Sequence, residues 1–300
     1  MKKLLIPCVA ALALCASVMF SSAGSETPCV CWAQEYLCAR GADGGKETFY
    51  LSEREEDNAD LPQKQGKRGA TRISGYTTSF NRSVYARSYN IALACSNFCY
   101  YTVPAGRTLS FNEVVGKRTA ERGYKEAKVI ENGEYVPGVG GGVCQVSTTL
   151  YNAWIAAGLG VISVRAHSLP SSYCDMSRDA TVSDMIDLVL VNDSGADVVI
   201  NATVRGNEVT FELYGALSAY TYSFETRIVR RTDPPEPVLE YVDYIEGGAD
   251  SKQISPAKNG YVTELVRRVY LDGKEISKEV VRRDQYRGVA AKVLVKSGDD

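Results

Sequence analysis

The sequence has little of several things that would define its class. Histidine occurs once in 300 residues and tryptophan twice. The net charge is −2, so no broad basic field exists to attract nucleic acid or an anionic membrane surface. Beyond residue 23 no apolar run is long enough for a membrane-spanning helix. These absences exclude a nucleic-acid-binding class and a polytopic membrane class, and the ordinary composition predicts a globular chain of about two domains.

The amino terminus has the composition of a secretory signal peptide. Residues 1–3 are short and positive, and residues 4–14 form an apolar run. Ser21 and Ala23 place small residues at positions −3 and −1 of a cleavage site, so residues 1–23 are predicted to be removed on export. The alternative is an uncleaved membrane anchor. In both cases the remainder of the chain is expected outside the cytoplasmic membrane, secreted or associated with the cell envelope.

Cysteine is the next informative residue type, with nine in the chain. Cleavage would leave seven, which are Cys29, Cys31, Cys38, Cys95, Cys99, Cys144 and Cys174. An odd number in an oxidising compartment leaves at least one thiol unpaired. We expect that thiol to be Cys144 and the other six to form disulfides of undetermined connectivity, unless the envelope is reducing. Zinc bound by Cys29, Cys31 and Cys38 is a weaker alternative, because a fourth ligand is missing.

The central region contains several predicted elements. Residues 86–98 favour a helix. Tyr89, Leu93 and Asn97 recur about one turn apart, and the alanines at 92 and 94 suit a helix. Residues 109–115 predict a short strand or irregular backbone. The Asn-Gly pair at 132–133 predicts a hairpin turn. Strands are predicted at 161–164 and at 187–192, and these two should pair antiparallel.

A glycine-rich turn followed by a cysteine is the most informative stretch. Four of the five residues from Gly138 to Gly142 are glycine, and the apolar spacing then predicts a helix that starts near Cys144 and ends at Gly158. A thiol in the first helical turn is stabilised as a thiolate by unpaired N–H groups and by the helix dipole. The same N–H groups suit a developing oxyanion. The alternative is that Cys144 is a small packed residue.

The single histidine, His167, follows the strand after this helix. A neutral imidazole takes a thiol proton near pH 7, so Cys144 and His167 form a candidate nucleophile and base. Such a histidine needs an orienting acceptor, and either Asp179 or Asp187 is suited to that role. A purely structural histidine is the alternative.

Long stretches of residues 74–215 resemble the VanW family, which occurs in bacterial envelope proteins and in some glycopeptide-resistance gene clusters. The matching stretches are Thr78–Phe80, Ser110–Asn112, Val115–Gly116, Arg118–Thr119, Gly123–Tyr124 with Ala127, Gly140–Ala153, Arg165, His167–Ser168, Pro170, Asp179–Val182 and Asp187–Leu188. The run from Gly140 to Ala153 is the longest and most specific of them.

The resemblance implies a cysteine-dependent L,D-transpeptidase activity on peptidoglycan stem peptides. Cys144 would be the nucleophile, His167 the general base and then acid, and Asp179 or Asp187 the orienting acid. The residues implied in substrate binding are Gly140, Gly141, Gly142, Gln145, Ser147, Arg165 and Ser168. No metal or organic cofactor is implied. The alternatives are a non-catalytic wall-binding or assembly protein and a cell-wall hydrolase that uses the same cysteine.

Two departures from the family pattern lie in the loop before Asp179. Arg178 stands where the family commonly has glycine. Cys174 is also unexpected, and a disulfide between Cys174 and Cys144 would block the thiol or place it under redox control.

The C-terminal region predicts a small β-rich domain at 222–296. Three prolines within 232–237 mark a break, and residues 261–270 and 275–281 read as two strands joined by the turn at 271–274. The hairpin resembles the glycine-signature G-five domain, which implies an amino-sugar polymer of the glycan as a further ligand. The alternative is a stabilising appendage without a ligand.

The whole chain is therefore predicted to be an α+β protein. A central VanW domain, with its helix-start cysteine packed on an antiparallel sheet, is followed by a small β-rich domain. The predicted bounds are 1–23 for the signal peptide, 24–73 for the cysteine-containing segment and linker, 74–215 for the VanW domain and 222–296 for the G-five-like domain.

Overall fold

A computed structural model of the protein describes residues 71–82, 84–131 and 134–297. The predicted signal peptide, Cys29, Cys31, Cys38 and the Asn-Gly pair at 132–133 lie outside the described residues. Among the described residues, no helix has the length and apolar character needed to cross a membrane.

The described chain is mostly β-structure with few helices, in agreement with a mixed α+β class. The strands of the central region are β1 (Thr71–Ser79), β2 (Tyr101–Val103), β3 (Thr108–Ser110), β4 (Glu126–Glu131), β5 (Glu134–Val139), β6 (Gly160–Ser163), β7 (Val189–Val191), β8 (Val198–Arg205) and β9 (Glu208–Gly215). The helices are α1 (Tyr85–Ser96), α2 (Phe111–Val115) and α3 (Val143–Ala156), with a short 3-10 turn at Ala120–Arg122. The C-terminal strands are β10 (Tyr220–Thr232), β11 (Val238–Val242), β12 (Ser251–Ser255), β13 (Gly260–Leu271), β14 (Lys274–Tyr286) and β15 (Lys292–Lys296).

A four-stranded antiparallel sheet in the order β1-β9-β8-β2 forms the base of the central region. Buried residues alternate with less buried ones along β8 and β9, as expected for a sheet that is covered on one face. Ile200, Phe211 and Leu213 point into the core and have no exposed surface. Helices α1 and α3 pack against this sheet.

Helix α3 is buried along almost its whole length. Twelve of its fourteen residues are buried, including Leu150 and Trp154. Trp154 Nε1 donates a hydrogen bond of 2.9 Å to Gly160 O, which satisfies its one polar atom. The helix ends before Gly158, whose φ of +77° is the left-handed conformation that commonly terminates helices. The predicted helix and its glycine stop are confirmed.

Two smaller pairings complete the central region. Strands β4 and β5 form the predicted antiparallel hairpin. Strands β3, β7 and β6 form a three-stranded antiparallel sheet in that order, in which β6 pairs with β7 as predicted.

The short helix α2 differs from the sequence prediction. Residues 109–115 were expected to be a strand or irregular backbone, but the strand ends at Ser110 and a helical turn follows. Ser110 Oγ accepts a hydrogen bond of 3.1 Å from Glu113 N and so caps that turn. A serine followed three residues later by a glutamate is a known helix-start pattern, and here it outweighs the β-branched residues that follow.

The C-terminal region consists of two sheets. Strands β10, β13 and β14 form a long antiparallel sheet in the order β10-β13-β14, and the predicted hairpin joins β13 to β14. Strand β15 pairs parallel with β11 and antiparallel with β12. Leu265 of β13 has no exposed surface and belongs to the same hydrophobic cluster as the buried residues of α3. The long sheet therefore packs directly on the central region.

Candidate active site

Cys144 is the second residue of α3. The chain enters this helix through Gly140 and Gly142, whose φ values of +86° and +111° are rarely adopted by other residues. Gly141 lies so close to β4 that a Cβ there would be 2.6 Å from the carbonyl oxygen of Lys128. The glycine turn therefore allows the start of the helix to approach the neighbouring strand.

A buried asparagine of α1 holds this glycine turn. Asn90 Nδ2 donates to Gly141 O at 3.0 Å and to Lys125 O at 2.8 Å, and Lys125 N donates to Asn90 Oδ1 at 2.8 Å. Asn90 has no exposed surface. A buried amide with all these bonds satisfied fixes the backbone geometry, so the position of Cys144 depends on α1 as well as on its own helix.

One face of α3 binds the segment that carries the candidate acid. Cys144, Thr148 and Asn152 are spaced four residues apart and lie on one side of the helix. Thr148 Oγ1 accepts a hydrogen bond of 2.9 Å from Ala180 N, and Asn152 Nδ2 donates to Arg178 O at 2.7 Å. The polar residues after the cysteine therefore anchor the two residues on either side of Asp179.

His167 and Asp179 are in direct contact. Both His167 Nδ1 and His167 N lie 2.6 Å from Asp179 Oδ2. His167 is 7% exposed and Asp179 is 1% exposed, so water competes little for their hydrogen bonds. A carboxylate on Nδ1 fixes the tautomer and the orientation of the ring, which leaves Nε2 as the nitrogen for chemistry.

The imidazole of His167 also acts on the Cys144 thiol, because each of the two groups shifts the pKa of the other. Because Asp179 occupies Nδ1, Nε2 is the ring nitrogen that remains available to the thiol. Cys144, His167 and Asp179 therefore form one interacting cluster, which we call the triad. Cys144 itself is half-buried.

The triad strongly perturbs the protonation of its members. Burial opposes the charge on His167, but its hydrogen bonds to Asp179 and Cys144 raise the pKa of His167 to about 10. Burial also opposes ionisation of the thiol, yet the hydrogen bond and the charge of His167 outweigh it and lower the pKa of Cys144. For Asp179 the contacts with His167 likewise outweigh burial and lower its pKa. Together these shifts favour a thiolate beside an imidazolium.

The sulfur has a second partner, Val182. Cys144 Sγ lies 3.3 Å from Val182 O, a contact in which only the protonated thiol can donate. The neutral thiol therefore has Val182 O as an acceptor and the thiolate has His167 as a donor.

Asp179 receives a further hydrogen bond from the C-terminal sheet. Tyr286 OH, on β14, donates to Asp179 Oδ1 at 2.6 Å, and Ser177 N donates to the same hydroxyl at 2.6 Å. Arg282, four residues earlier on the strand, donates from NH1 to Asp179 O at 2.7 Å. The side chain and the main chain of the candidate acid are therefore both held by β14.

The loop before Asp179 is also fastened to the other strands of that sheet. Ser177 Oγ lies 2.6 Å from Thr263 Oγ1 on β13, and Thr226 Oγ1 on β10 donates to Met176 O at 2.6 Å. Ser177 has a φ of +62°, which is uncommon for a residue other than glycine. A strained residue held by several hydrogen bonds is frequent at functional sites.

Two further side chains lie close to the thiol. The ring of Tyr173 meets that of His167 edge-on, with 6.5 Å between the centroids. Arg118 donates to Asn112 Oδ1 at 2.8 Å, and its side chain is 9% exposed. The charge of Arg118 contributes to the lowered pKa of Cys144, after the larger effects of burial and of His167.

Asp187, the second sequence candidate for the orienting acid, has other partners. Its carboxylate accepts from Ser110 Oγ, and Asp187 Oδ1 accepts from Asn112 N at 2.9 Å. These bonds join the segment just before β7 to the start of α2 and do not involve His167. The geometry therefore favours Asp179 as the acid next to the histidine.

Two of the predicted substrate-binding residues point into the protein. Gln145 is 1% exposed, and its Nε2 donates to Thr78 Oγ1 and to Ser79 O, both at 2.9 Å. Ser147 has no exposed surface, and its Oγ donates to Ala180 O at 2.6 Å. Their hydrogen bonds to buried neighbours fit a structural role.

The remaining predicted substrate-binding residues lie around the site. Gly140, Gly141 and Gly142 form the turn before Cys144. Arg165 is exposed, and its carbonyl accepts a hydrogen bond of 2.7 Å from Thr181 N. Ser168 O accepts from Arg287 N at 2.9 Å.

Cys174 and Cys144 are both free thiols in this structure. Cys174 Sγ lies 3.2 Å from Ser171 Oγ, and burial raises the pKa of Cys174 to about 12. The pKa values of the two thiols are therefore shifted in opposite directions. That of Cys144 is lowered, which favours the thiolate, and that of Cys174 is raised, which favours the neutral thiol. Within 71–82, 84–131 and 134–297, no cluster of three or more histidine, cysteine or acidic residues suits a metal ion.

Sequence reasoning missed the contribution of β14 to the site. Arg282, Asp284 and Tyr286 are less exposed than Arg283 and Gln285 between them, so the end of the strand turns a polar face inward. The sequence shows no such alternation, because residues 282–285 are all polar or charged. It does not identify the partner either, because Tyr286 lies 107 residues from Asp179 in the sequence.

Comparison with protein families gives one match, at residues 86–214, to the family described as VanW like protein. Two curated bacterial relatives match over similar lengths. YoaR of Bacillus subtilis (strain 168), whose function is uncharacterised, is 40% identical over 145 residues, which are 48% of this chain and 48% of YoaR. The vancomycin B-type resistance protein VanW of Enterococcus faecalis (strain ATCC 700802 / V583) is 26% identical over 132 residues, 42% of this chain and 48% of that protein. The match thus spans about half the length of both relatives.

Two solved structures of G5 domains match about a quarter of the chain. The G5 domain of an IgA1 protease is 20% identical, covers 27% of this chain and 92% of that domain, and has a TM-score of 0.20. The G5 domain of HP0197 is 17% identical, covers 26% of this chain and 99% of that domain, and has a TM-score of 0.16. Likeness at these TM-scores carries no argument about a ligand.

Proposed function

The chain carries a VanW-like domain, and on that premise we propose that it is a peptidoglycan-associated protein of the bacterial cell envelope. More specifically, we propose a cysteine acyltransferase of the L,D-transpeptidase type that acts on stem peptides. The observation that carries this proposal is the triad of Cys144, His167 and Asp179, with a lowered thiol pKa and an imidazole fixed through Nδ1. A structural cysteine needs neither feature.

In the first half-reaction the thiolate of Cys144 attacks the carbonyl carbon of the third stem residue. A C–S bond forms, and the amide bond to the terminal D-alanine breaks. The imidazolium of His167 gives its proton to the departing amine, which leaves as free D-alanine. The products are a thioester on Cys144 and a neutral imidazole.

In the second half-reaction an amine of a neighbouring stem attacks the thioester. Neutral His167 takes the proton of that amine, the C–S bond breaks, and a new amide joins the two stems. The thiolate and the imidazolium are then restored. No external oxidant or energy source is needed, because one amide is exchanged for another.

The oxyanion of both intermediates is assigned to the start of α3. Val143 N already donates to Gly140 O at 3.1 Å, and Gln145 N donates to Gly142 O at 3.0 Å. The N–H of Cys144 lies between these two amides, next to the reacting sulfur. Together with the positive end of the helix dipole it suits the negative oxygen.

The proposal retains the domain bounds 74–215 and 222–296, an extracytoplasmic location and the removal of residues 1–23. Stem peptides are the proposed partners. His167 and Asp179 are the proposed base and orienting acid.

The test compares the mature protein with Cys144→Ala on purified peptidoglycan that carries tetrapeptide stems. Muropeptides are released and identified by mass spectrometry. We expect crosslinked dimers with release of D-alanine from the wild-type protein and neither product from the variant. Cys174→Ser is the matched control, because it removes a thiol that stays protonated near neutral pH, and it should retain activity.

Other outcomes would contradict the proposal in different ways. Release of D-alanine without dimers would indicate a hydrolase that uses the same nucleophile. No change with either protein, when both are folded and reduced, would indicate a non-catalytic binding or assembly protein. Equal activity of the wild type and Cys144→Ala would exclude Cys144 as the nucleophile.

A further inference from the structure

The carboxylate of Asp179 uses its two oxygens for different partners. Oδ2 accepts from the His167 main chain and ring, both at 2.6 Å. Among the described residues, Oδ1 accepts one hydrogen bond, from Tyr286 OH at 2.6 Å. A partial rotation of this carboxylate would pull Oδ2 away from the ring, and the hydrogen bond at Oδ1 opposes that rotation.

The direction of the Tyr286 hydrogen bond is determined by its neighbour. A tyrosine hydroxyl has one proton, and Ser177 N can only donate to it. Because Ser177 N–H occupies a lone pair of the hydroxyl, the proton must point to Asp179. Tyr286 is 1% exposed, so water does not replace either partner. Burial and the adjacent carboxylate also hold the pKa of Tyr286 far above its ordinary value, which keeps the hydroxyl protonated.

A second side chain from the same strand face reaches the acid. Arg282 NH1 holds Asp179 O at 2.7 Å, so residues i and i+4 of β14 hold both the main chain and the side chain of Asp179. The side chain of Arg282 is 7% exposed and paired with Asp284 at 2.7 Å. Two bonds from one rigid strand define an orientation, whereas a single bond allows rotation about it.

We propose that Tyr286 is a positioning residue of the active site, whose hydroxyl holds the Asp179 carboxylate in the orientation that directs His167 toward Cys144. The long C-terminal sheet is thereby part of the catalytic apparatus. This inference rests on the triad of the proposed function but not on the identity of the substrate.

The experiment measures the reactivity of the Cys144 thiol and needs no substrate. The full chain is alkylated with iodoacetamide between pH 5 and 10, and modification of Cys144 is followed by peptide mass spectrometry. In Tyr286→Phe we expect the rate at pH 7 to fall on the order of 10-fold, the size typical of losing a partner of an essential ligand. The midpoint of the pH profile should rise by about one unit, because a tenfold change in the thiolate fraction corresponds to one pKa unit.

The titratable and charged groups that interact with the triad or with Tyr286 bear on this profile. They include Cys144, His167, Tyr173, Cys174, Arg282, Asp284 and Tyr286. Since His167 is the only histidine of the chain, ¹⁵N-histidine labelling gives a single imidazole signal. Its titration reports the ring directly, and in Tyr286→Phe the imidazolium should lose its proton at a lower pH than in the wild type.

Two controls separate positioning from general stabilisation. Tyr244→Phe removes the hydroxyl of a tyrosine that is 72% exposed in the same region, and it should leave rate and midpoint unchanged. In an Asp179→Asn background, Tyr286→Phe should have little further effect, because the two residues act through one contact.

A second variant covers the case in which Tyr286→Phe does not fold. Arg282→Lys keeps the positive charge but loses the planar group that reaches Asp179 O, and it should move the profile in the same direction by a smaller amount. The inference is overturned if both variants keep the wild-type profile, or if wild-type Cys144 titrates as an ordinary thiol. If the profile shifts as expected while no protein yields crosslinked muropeptides, the transpeptidase proposal fails and the positioning role stands.

Discussion

At the scale of the residue, the main feature is a thiol whose ionisation depends on one imidazole. Burial alone would make Cys144 less acidic, as it does for Cys174, whose pKa is about 12. The difference between the two thiols lies in their partners. Cys144 has His167 and the nearby charge of Arg118, whereas Cys174 has the hydroxyl of Ser171.

This comparison predicts the outcome of removing the imidazole. In the wild type the pKa of Cys144 is lowered, so the thiolate should form below the pH of about 8.5 at which free cysteine ionises. In His167→Ala the burial remains and the stabilising partner is lost, so the alkylation midpoint should move above about 8.5. The check is the pH dependence of iodoacetamide modification at Cys144. An unchanged midpoint would show that His167 does not control the thiol.

At the scale of the element, the position of the start of α3 depends on the missing Cβ of a glycine. Gly141 lies against the backbone of β4, and a Cβ there would be 2.6 Å from Lys128 O. Backbone cannot move aside as the end of a flexible side chain can. The close contact between β4 and the helix therefore depends on the absence of a methyl group at position 141.

Gly141→Ala is accordingly expected to destabilise the protein by about 3 kcal/mol, the upper part of the range for overpacked sites. Gly195→Ala is the matched control, since a Cβ there would meet no atom within 4 Å and only the cost of its positive φ remains, about 1 kcal/mol. Denaturant unfolding of both variants gives the comparison. A loss for Gly141→Ala no greater than that for Gly195→Ala would mean that β4 adjusts easily.

At the scale of the whole molecule, the central region and the long C-terminal sheet share one core. Leu265 of β13 is fully buried in the cluster that includes Leu150 and Trp154 of α3. Hydrogen bonds from β10, β13 and β14 to the loop before Asp179 cross the same boundary. We therefore expect these two parts to unfold together.

Leu265→Ala tests this expectation. It should cost about 2–5 kcal/mol, as for other fully buried leucines, and it should lower the unfolding midpoint of both parts. Val280→Ala on the same sheet is 47% exposed and should change stability by less than about 0.5 kcal/mol. Two probes are needed, far-ultraviolet circular dichroism of the sheets and tryptophan fluorescence in a Trp32→Phe background, which leaves Trp154 as the single tryptophan. Separate transitions, with only one of them shifted by Leu265→Ala, would contradict a shared core.

Features that depend on neighbouring residues could be predicted from the sequence, and most features that depend on distant contacts could not. The helix from the cysteine to Gly158 and both hairpins were predictable, because apolar spacing and turn residues are local signals. The contact between His167 and Asp179 lay within a dozen residues and was one of two expected arrangements. The roles of Gln145 and Ser147 were not predictable. The sequence does not distinguish a polar side chain that binds substrate from one that hydrogen-bonds buried groups of the protein. The helical turn after Ser110 was missed although its capping pattern was present.

The contact between Tyr286 and Asp179 has a consequence for the order of events during synthesis. A chain that leaves the ribosome amino terminus first presents Cys144, His167 and Asp179 before Tyr286, which follows Asp179 by 107 residues. Until that late strand docks, the carboxylate lacks its outer donor and the imidazole lacks a fixed direction. If Tyr286 has the proposed role, Cys144 of the nascent protein has the reactivity of an ordinary cysteine. The thiol becomes reactive only when β14 docks on the loop that carries Asp179.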